Sequence, residues 1–335
     1  MAIRNEEVYI KASLDALLCQ TYPRERMEIL ISDGESTDGT GNILAEMAQK
    51  DQRIRIFKNS GKIVSTGLNR AIRESRGDIL VRVDGHTRVA PDYVEKCVHE
   101  LLQSGAANAG GRMRSAGEGL WGEAIVAATE SRFGIGNAAF HYCEERRWVD
   151  TVYMGAWKRE TFRSAGLFDE ELVRDQDDEL NYRIRHQGGK ILLSPEIRSV
   201  YTVRSGPGAL LSQYFQYGFW KVRVLQKHPA QMQPRQFVPA FFVLALCGSA
   251  AAVLSPAGRA FFLAVLTVYL AADMLASGLI ASTKGWRYFP RLLVVFAVLH
   301  TGYGAGFLAG LVWFAPRWLQ KVPPVPVLDT GERIS

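Results

Sequence analysis

The sequence is short of the features that mark a secreted, disulfide-stapled or nucleic-acid-binding chain. Its four cysteines, Cys19, Cys97, Cys143 and Cys247, are scattered through 335 residues with no C-x-x-C pair. That excludes a disulfide framework or a zinc ribbon and points to reduced thiols in a cytosolic compartment. The start, Met1-Ala2-Ile3-Arg4-Asn5-Glu6-Glu7, has no apolar core of a signal peptide, so nothing is expected to carry the first domain across a membrane. Acids are nearly missing between Asn181 and Arg235, where nine Lys or Arg stand against the single Glu196, in a chain of net charge +6. Such a stretch suits nucleic acid or an anionic membrane surface. It runs directly into a hydrophobic C-terminal third, so membrane lipids, and no nucleic acid, are the expected partner.

What is present centres on Ile79-Leu80-Val81-Arg82-Val83, which stops at Asp84-Gly85-His86. The nearly continuous apolar run predicts a buried strand of a mostly parallel sheet. In open α/β sheets ligands bind beyond the carboxyl ends of the strands, which is where Asp84 and His86 fall. An acid and an imidazole on one tight turn suit a divalent ion; equally, Asp84 suits a backbone cap.

Before this strand the pattern alternates. Ile10, Leu14, Leu17 and Leu18 make one helical face, and Glu28 to Ser32 reads as a strand. The loop Asp33-Gly34-Glu35-Ser36-Thr37-Asp38-Gly39-Thr40 follows, then a helix with Ile43, Leu44 and Met47 inward. Arg53 to Phe57 is a further strand, Asn59-Ser60-Gly61-Lys62 a further polar loop, and Leu68 and Ile72 mark the next helix. This succession predicts a doubly wound α/β sheet of nucleotide-binding type, with a polar cluster at each strand end. Helices are also expected over Pro91 to Gln103, near Trp121 to Arg132 and near Lys158 to Ala165. A strand from Val149 to Met154 is expected to end in Gly155-Ala156.

The densest acidic cluster is Asp169-Glu170-Glu171 and Asp175-Gln176-Asp177-Asp178-Glu179, opening a helix that ends at Gly188-Gly189. The helix dipole accounts for one or two acids near its N-terminus. Four within five residues is more than capping needs, and their repulsion favours a raised pKa in one of them, as a general base requires. From Gly208 to Lys227, Leu211, Phe215, Phe219 and Val222 oppose Lys221, Arg223 and Lys227, the pattern of a helix lying in a membrane interface or of one packed on its own domain. Three apolar stretches, Phe237–Leu254, Ala260–Ser282 and Phe289–Ala315, reach the length that spans hydrocarbon. Asp273 interrupts the second, either as a functional intramembrane carboxylate or as a protonated acid tolerated near Tyr269. Lys284, Arg287 and Arg291 place the loop between the second and third spans in the cytoplasm, with the first domain on the same side and, for three spans, the tail outside.

Ile31-Ser32-Asp33 with Ser36-Thr37-Asp38-Gly39-Thr40, the Asp84-Gly85-His86 turn and Gln176-Asp177-Asp178-Glu179-Leu180 together resemble the ordered motifs of family 2 inverting glycosyltransferases of GT-A fold. The resemblance covers about residues 2 to 223. Within the family, Val81 to His86 and the membrane tail are similar to membrane-anchored bacterial exopolysaccharide transferases of the succinoglycan type. It implies a Rossmann-like, mostly parallel sheet over residues 1–205, an amphipathic interfacial segment at 206–235, about three transmembrane helices in 236–316 and a polar tail, 317–335. It implies that Asp33 binds the nucleotide base, usually uracil, with Asn5, Glu6 and Lys62 beside the nucleoside. Asp84 then meets the ribose and the metal–diphosphate, Asp177 is the catalytic base, and Gly155, Ala156 and Glu179 lie on the acceptor side. His86 stands where the family usually has a second aspartate; with Asp84 it implies Mn²⁺ or Mg²⁺, and imidazole favours Mn²⁺. Gln176 replaces a glutamate beside the base, and relatives have a full first strand where this chain starts at Met1. The segment Gln213 to Lys221 does not reproduce the Gln-x-x-Arg-Trp motif of processive relatives, which favours single-sugar transfer.

The implied reaction moves a sugar from a nucleotide-sugar donor, expected to be a UDP-sugar, to a polyprenyl-diphosphate-linked saccharide at the cytoplasmic face of a bacterial inner membrane, with exopolysaccharide assembly proteins as possible partners. A two-carboxylate glycoside hydrolase would need no strand-end nucleotide loops. An inactive membrane scaffold or sugar-nucleotide-binding subunit is the other alternative.

Overall fold

The computed structural model describes residues 1–136, 143–203 and 206–329. In chain order its main elements are β1 (Ala2–Ile3), α1 (Ile10–Leu18), β2 (Ile29–Asp33), α2 (Thr40–Lys50), β3 (Ile54–Lys58), α3 (Val64–Glu74), β4 (Ile79–Arg82), β5 (Thr87–Val89) and α4 (Tyr93–Ser104). There follow β6 (Asn108–Ala116), α5 (Gly119–Thr129), α6 (Arg132–Ile135), β7 (Arg147–Val149), β8 (Tyr153–Lys158), α7 (Arg159–Ser164), α8 (Gln176–His186) and β9 (Ile191–Thr202). The chain continues through α9 (Pro207–Lys227), α10 (Val238–Ala251), α11 (Pro256–Lys284) and α12 (Phe289–Trp313). The described chain forms two compact units, one of residues 1–114, 143–202 and 323–329, the other of 115–136, 203 and 206–322. The expected boundary at 205 and the last tail residues, 330–335, lie outside the described residues.

In the first unit, β1, β2 and β3 form a parallel three-stranded sheet, with Ala2 opposite Ser32 and Ile31 opposite Ile56. Its helices bury the faces that their spacing dictates: Ile10, Leu14 and Leu17 on α1, Leu44 and Met47 on α2. These side chains share one core with Ile29, Ile31, Tyr93 and Leu101. The parallel pairing stops there. β4 belongs to a six-stranded sheet ordered β4-β8-β6-β9-β5, in which β7 also pairs β9. Within it β4 runs antiparallel to β8, and β5 antiparallel to β9. The expected burial of the Ile79–Val83 run is likewise corrected in part: Ile79, Leu80 and Val81 are half-buried, while Arg82 and Val83 are buried.

The segment after α12 returns to this unit. Leu167 N–H donates to Pro326 O at 2.8 Å, and Leu328 packs with Trp157, Phe162 and Phe168.

In the second unit, α9 lies along α12. A side chain at Gly306 would come within 2.0 Å of Phe215 O, and one at Gly218 within 2.0 Å of Tyr303 O. The small residues let the two backbones approach. Lys221 and Arg223, expected on an outward basic face, are instead buried. Three segments, Pro234–Ala251, Pro256–Lys284 and Trp286–Trp313, are long and apolar enough to cross a membrane, and the chain reads as a membrane protein.

Candidate active site

The site is built where three strand ends meet their loops. Asn5 has φ 56°, a left-handed value that Asn tolerates, and faces the loop after β2. Its N–H donates to Ser36 Oγ at 2.9 Å, and its Oδ1 accepts from Thr37 N–H at 2.8 Å. Glu6 N–H donates to Thr40 Oγ1 at 2.8 Å. Asp33, at the end of β2, accepts the Ser36 hydroxyl at 2.5 Å and the Ser36 N–H at 3.2 Å. Lys62, the loop residue after β3, lies at the edge of this group, 2.7 Å from Glu35 Oε2. Lys62 and Lys58 hold the Glu35 carboxyl down at about 2.

The turn after β4 joins the same group. His86 Nδ1 is 2.9 Å from Glu6 Oε1, and the His86 ring meets Tyr201 edge-on with centroids 5.1 Å apart. Ser13 Oγ donates to Gly85 O at 2.7 Å. A Cβ on Gly85 would come within 2.9 Å of Ile3 Cγ2 and 3.0 Å of Glu6 Cγ, so the close approach needs glycine.

Asp84 and Asp177 meet through a residue that carries no sequence assignment. Arg82 Nε donates to Asp84 Oδ1 at 2.8 Å and Nη2 to Oδ2 at 3.3 Å, while Nη1 donates to Asp177 Oδ1. The Arg82 side chain is only 7% exposed, against 26% for Asp177. Burial pushes the Asp177 carboxyl up, and Asp84 pushes it further, against the pull of Arg82. Burial also acts to raise Asp84, but Arg82 and His86 outweigh it and hold that carboxyl below its ordinary value. Two neighbouring acids are thus driven apart in pKa, the pattern of an acid–base assignment. Tyr153, also missed by sequence reasoning, presents its hydroxyl 2.7 Å from Thr87 Oγ1 and 3.4 Å from Asp84 Oδ2.

Asp177 is aimed by its surroundings. Asn69 accepts from Phe168 N–H at 2.9 Å and donates to Phe168 O at 2.8 Å, fixing the segment that leads into α8. Asp175 then turns the chain at φ 61°, so that Asp177 opens the helix.

Two expected acceptor-side assignments do not follow the expected geometry. Glu179 is fully buried, and its two oxygens accept from Arg183 Nε at 2.7 Å and Nη2 at 2.9 Å; it anchors α8 and is not presented with Asp177. Gly155 and Ala156 do not end a strand in a turn. They lie inside β8, opposite Arg82 and Val81. Gly155 has φ 130°, and its Cβ would fall 2.4 Å from Asn108 Oδ1, so the apparent turn glycine marks a kink within the strand.

Among the described residues no three His, Cys, Asp or Glu side chains converge as a metal-binding group. Asp84 and His86 supply two donors of the types a divalent ion accepts. That fits an ion bound jointly with phosphate oxygens, as Mg²⁺-type ions commonly are, and does not fit an all-protein cage. Both Asp84 oxygens already face the Arg82 guanidinium, so an ion there would share the carboxylate.

Known proteins resemble this chain in sequence and in fold. Residues 1–142 match the family model for glycosyl transferase family 2. The succinoglycan biosynthesis protein ExoA of Rhizobium meliloti (strain 1021) is 29% identical over 317 residues, covering 93% of this chain and 94% of that protein. A dolichyl N-acetyl-alpha-D-glucosaminyl phosphate 3-beta-D-2,3-diacetamido-2,3-dideoxy-beta-D-glucuronosyltransferase of Methanococcus voltae is 28% identical over 231 residues, 67% of this chain and 72% of that one. Among solved structures, the mannosyltransferase PcManGT from Pyrobaculum calidifontis, in complex with GDP-Man and Mn²⁺, matches with a TM-score of 0.58, covering 92% of this chain and 85% of that one. At 19% identity that likeness speaks for the fold alone. Residues 1–142 are thus similar to glycosyl transferase family 2, and the chain's mixed α/β fold resembles that of a GT-A glycosyltransferase.

Proposed function

We propose that the chain is an inverting glycosyltransferase moving one sugar from a nucleoside-diphosphate sugar to a lipid-linked saccharide. The observation that carries this reading is the Arg82 bridge, which brings the carboxylate of Asp177 and the turn at Asp84 to one guanidinium. Asp177 takes the proton of the acceptor hydroxyl as that oxygen attacks the anomeric carbon, and the upward push on its pKa from burial strengthens it as a base. Asn5, Glu6, Asp33 and Lys62 line the nucleoside side, and Asp84 faces the diphosphate. Asp84 and His86 would hold a divalent ion, which would supply positive charge beside the departing diphosphate, and the imidazole makes Mn²⁺ the expected ion. Arg82 keeps the base ionised and oriented until the acceptor arrives. Gly155 and Ala156, opposite Arg82 and Val81, flank this point.

The acceptor class is supported by the apolar helices of this chain and by the lipid-phosphate sugar in the name of the Methanococcus relative. The same reading takes residues 1–205 as the catalytic domain, facing the cytoplasm of a bacterial inner membrane, with 206–235 at the interface and crossing helices within 236–316. A UDP-sugar is the expected donor; the GDP-mannose of the fold relative makes a GDP-sugar the donor to test beside it. The test is nucleoside diphosphate release by membranes supplied with a panel of UDP- and GDP-sugars and Mn²⁺. Asp177→Asn is expected to abolish transfer and leave nucleoside diphosphate binding largely intact. Loss of both together overturns the role given to Asp177.

A further inference from the structure

The chain between α7 and α8, residues 165–175, leads to Asp177 yet has no helix or strand of its own. It leaves at Asp175 with φ 61°, a value that persists only where the surroundings over-determine it. Its path is set by what touches it. Ser65 Oγ donates to Leu172 O at 3.0 Å, and Asn69 holds both backbone groups of Phe168. A further hold comes from far along the sequence. Residues 323–328, Pro-Pro-Val-Pro-Val-Leu, lie on this stretch as a strap that is neither helix nor strand. Leu328 is 9% exposed and enters the cluster of Trp157, Phe162 and Phe168, while its N–H donates to Phe162 O at 3.2 Å. A Cβ on Gly166 would lie 3.2 Å from Pro326 O and 3.6 Å from Val325 Cγ1, so the strap closes over that position.

Leu167 joins the strap to α8. It is fully buried; its N–H donates to Pro326 O at 2.8 Å, and its carbonyl accepts from Arg183 Nη2 at 2.6 Å. Arg183, on α8, also donates to Ala165 O and, through Nε, to Glu179. One residue is thus held by the strap at its N–H and by the helix of Asp177 at its carbonyl. The three prolines stiffen the strap, so little chain entropy opposes its docking. We propose that the 323–328 strap positions the catalytic base: docked, it fixes Leu167 where Arg183 sets α8, and so aims Asp177; this rests on the role given to Asp177 above. Leu328 is a positioning residue and acts through α8. Asn5, Glu6, Asp33 and Lys62 lie on other loops, so undocking separates turnover from donor binding.

The test uses the full chain in phosphatidylcholine nanodiscs. Leu328→Asp puts a charge into the ring cluster and releases the strap, while Leu328→Met keeps the apolar volume and should behave as the parent. In the Asp variant, hydrogen exchange over residues 165–180 is expected to quicken while β1–β3 keeps the parental rate. Turnover should fall by up to about a hundredfold, the effect of misplacing a reacting group by an ångström, with UDP and GDP affinity unchanged. A synthetic peptide of residues 320–329 should restore both protection and turnover. Quickened exchange with unchanged turnover, or exchange that stays parental, overturns the proposal. So does a joint loss of turnover and nucleotide affinity, which a merely structural role would give, or a peptide that restores protection without turnover. A parent chain that transfers no sugar overturns the glycosyltransferase reading; exchange that quickens in its Leu328→Asp variant and is reversed by the peptide leaves the strap's hold on α8 standing.

Discussion

Replacing Arg82 by methionine removes the cation from between two acids while keeping most of the side-chain volume. Breaking a buried ion pair by deleting one partner costs about 3–5 kcal/mol, because the remaining charge is left uncompensated. Here two carboxylates are stranded, but Asp177 is 26% exposed and Asp84 16%. Water therefore offsets part of the loss, and about 3 kcal/mol is the expected destabilisation at neutral pH. That is more than a hundredfold in the unfolding equilibrium, readable as a lower urea midpoint by pulse proteolysis in detergent. The pH dependence has a definite sign. The folded-state pKa of Asp177 already lies above its ordinary value, so the folded state holds that proton more tightly than the unfolded chain does. Its contribution is most favourable at low pH and declines as pH rises through the folded pKa. Without Arg82, which pulls this pKa down, the value rises further. The variant is therefore expected to lose less stability at pH 5 than at pH 7.5, and the acid limb of its pH–rate profile should move to higher pH. A variant that unfolds like the parent at pH 7.5 and keeps the parental acid limb would refute the idea that Arg82 governs both acids.

Gly155→Ala is expected to cost about 2–4 kcal/mol, from the positive φ and the close Asn108 contact together; a second substitution, Asn108→Ala, should recover only the contact's share of the urea midpoint. His86→Asp should shift the preferred ion from Mn²⁺ toward Mg²⁺ by replacing nitrogen with oxygen, which activity titrations with each metal would read; an unchanged ratio would remove His86 from the ion's shell. Glu179→Gln, at a fully buried carboxylate paired with Arg183, should cost about 3 kcal/mol of stability while leaving the turnover of the folded fraction unchanged; a selective loss of turnover would restore Glu179 to the acceptor side.

The elements of the first ninety residues are legible because each has a local cause: helical spacing in Ile10, Leu14 and Leu17, and polar loops after short β-branched runs. The pairing of β4 is not local. Its partner β8 begins at Tyr153, some seventy residues on, and an apolar run does not say whether its neighbour runs parallel or antiparallel. The density of acids around Glu179 draws it, on sequence alone, to the acceptor side. On a helix of 3.6 residues per turn, residues two apart point about 200° apart. Asp177 and Glu179 therefore face opposite ways, and Arg183, four residues on from Glu179, is the natural partner. Arg82 carries a signal that composition hides. Alternation puts residues 82 and 84 on the same side of an extended chain, so a cation two positions before a strand-end acid is already beside it. Its contact with Asp177, 95 residues away, needs the tertiary fold.

The apolar helices pose a parity problem that their own packing answers. Leu328 packs in the first unit, and a tail that folds with that unit is expected on the same side of the membrane as the chain before the helices. An even number of crossings is the expectation that follows, although three helices are long and apolar enough to cross. The three candidates are not alike: 44% of the apolar stretch of the third is buried within the protein, against 17% and 11% for the first two. α12 spends its surface on α9, through Gly302, Gly306 and Gly310, and on α6, where Phe133 packs edge-on against Phe296 and its carbonyl lies 2.8 Å from His300 Nε2. Lys284, at the end of α11, pairs with Glu130 at 3.2 Å, and Tyr288 meets Glu123. These acids belong to the short excursion 115–136, which leaves and rejoins the first unit's chain. The expected topology is a hairpin, α10 out and α11 back, with α12 held against α9 without crossing. That topology would put Lys284, Arg287 and Arg291 on the cytoplasmic side, in line with the positive-inside rule, and would make the tail cytoplasmic, where three spans would put it outside. Single cysteines at Leu254 and Leu319, in a chain freed of its own four, should react oppositely with a membrane-impermeant maleimide added to intact cells: Leu254→Cys labelled, Leu319→Cys protected until the cells are opened. Labelling of both from outside would restore the third crossing.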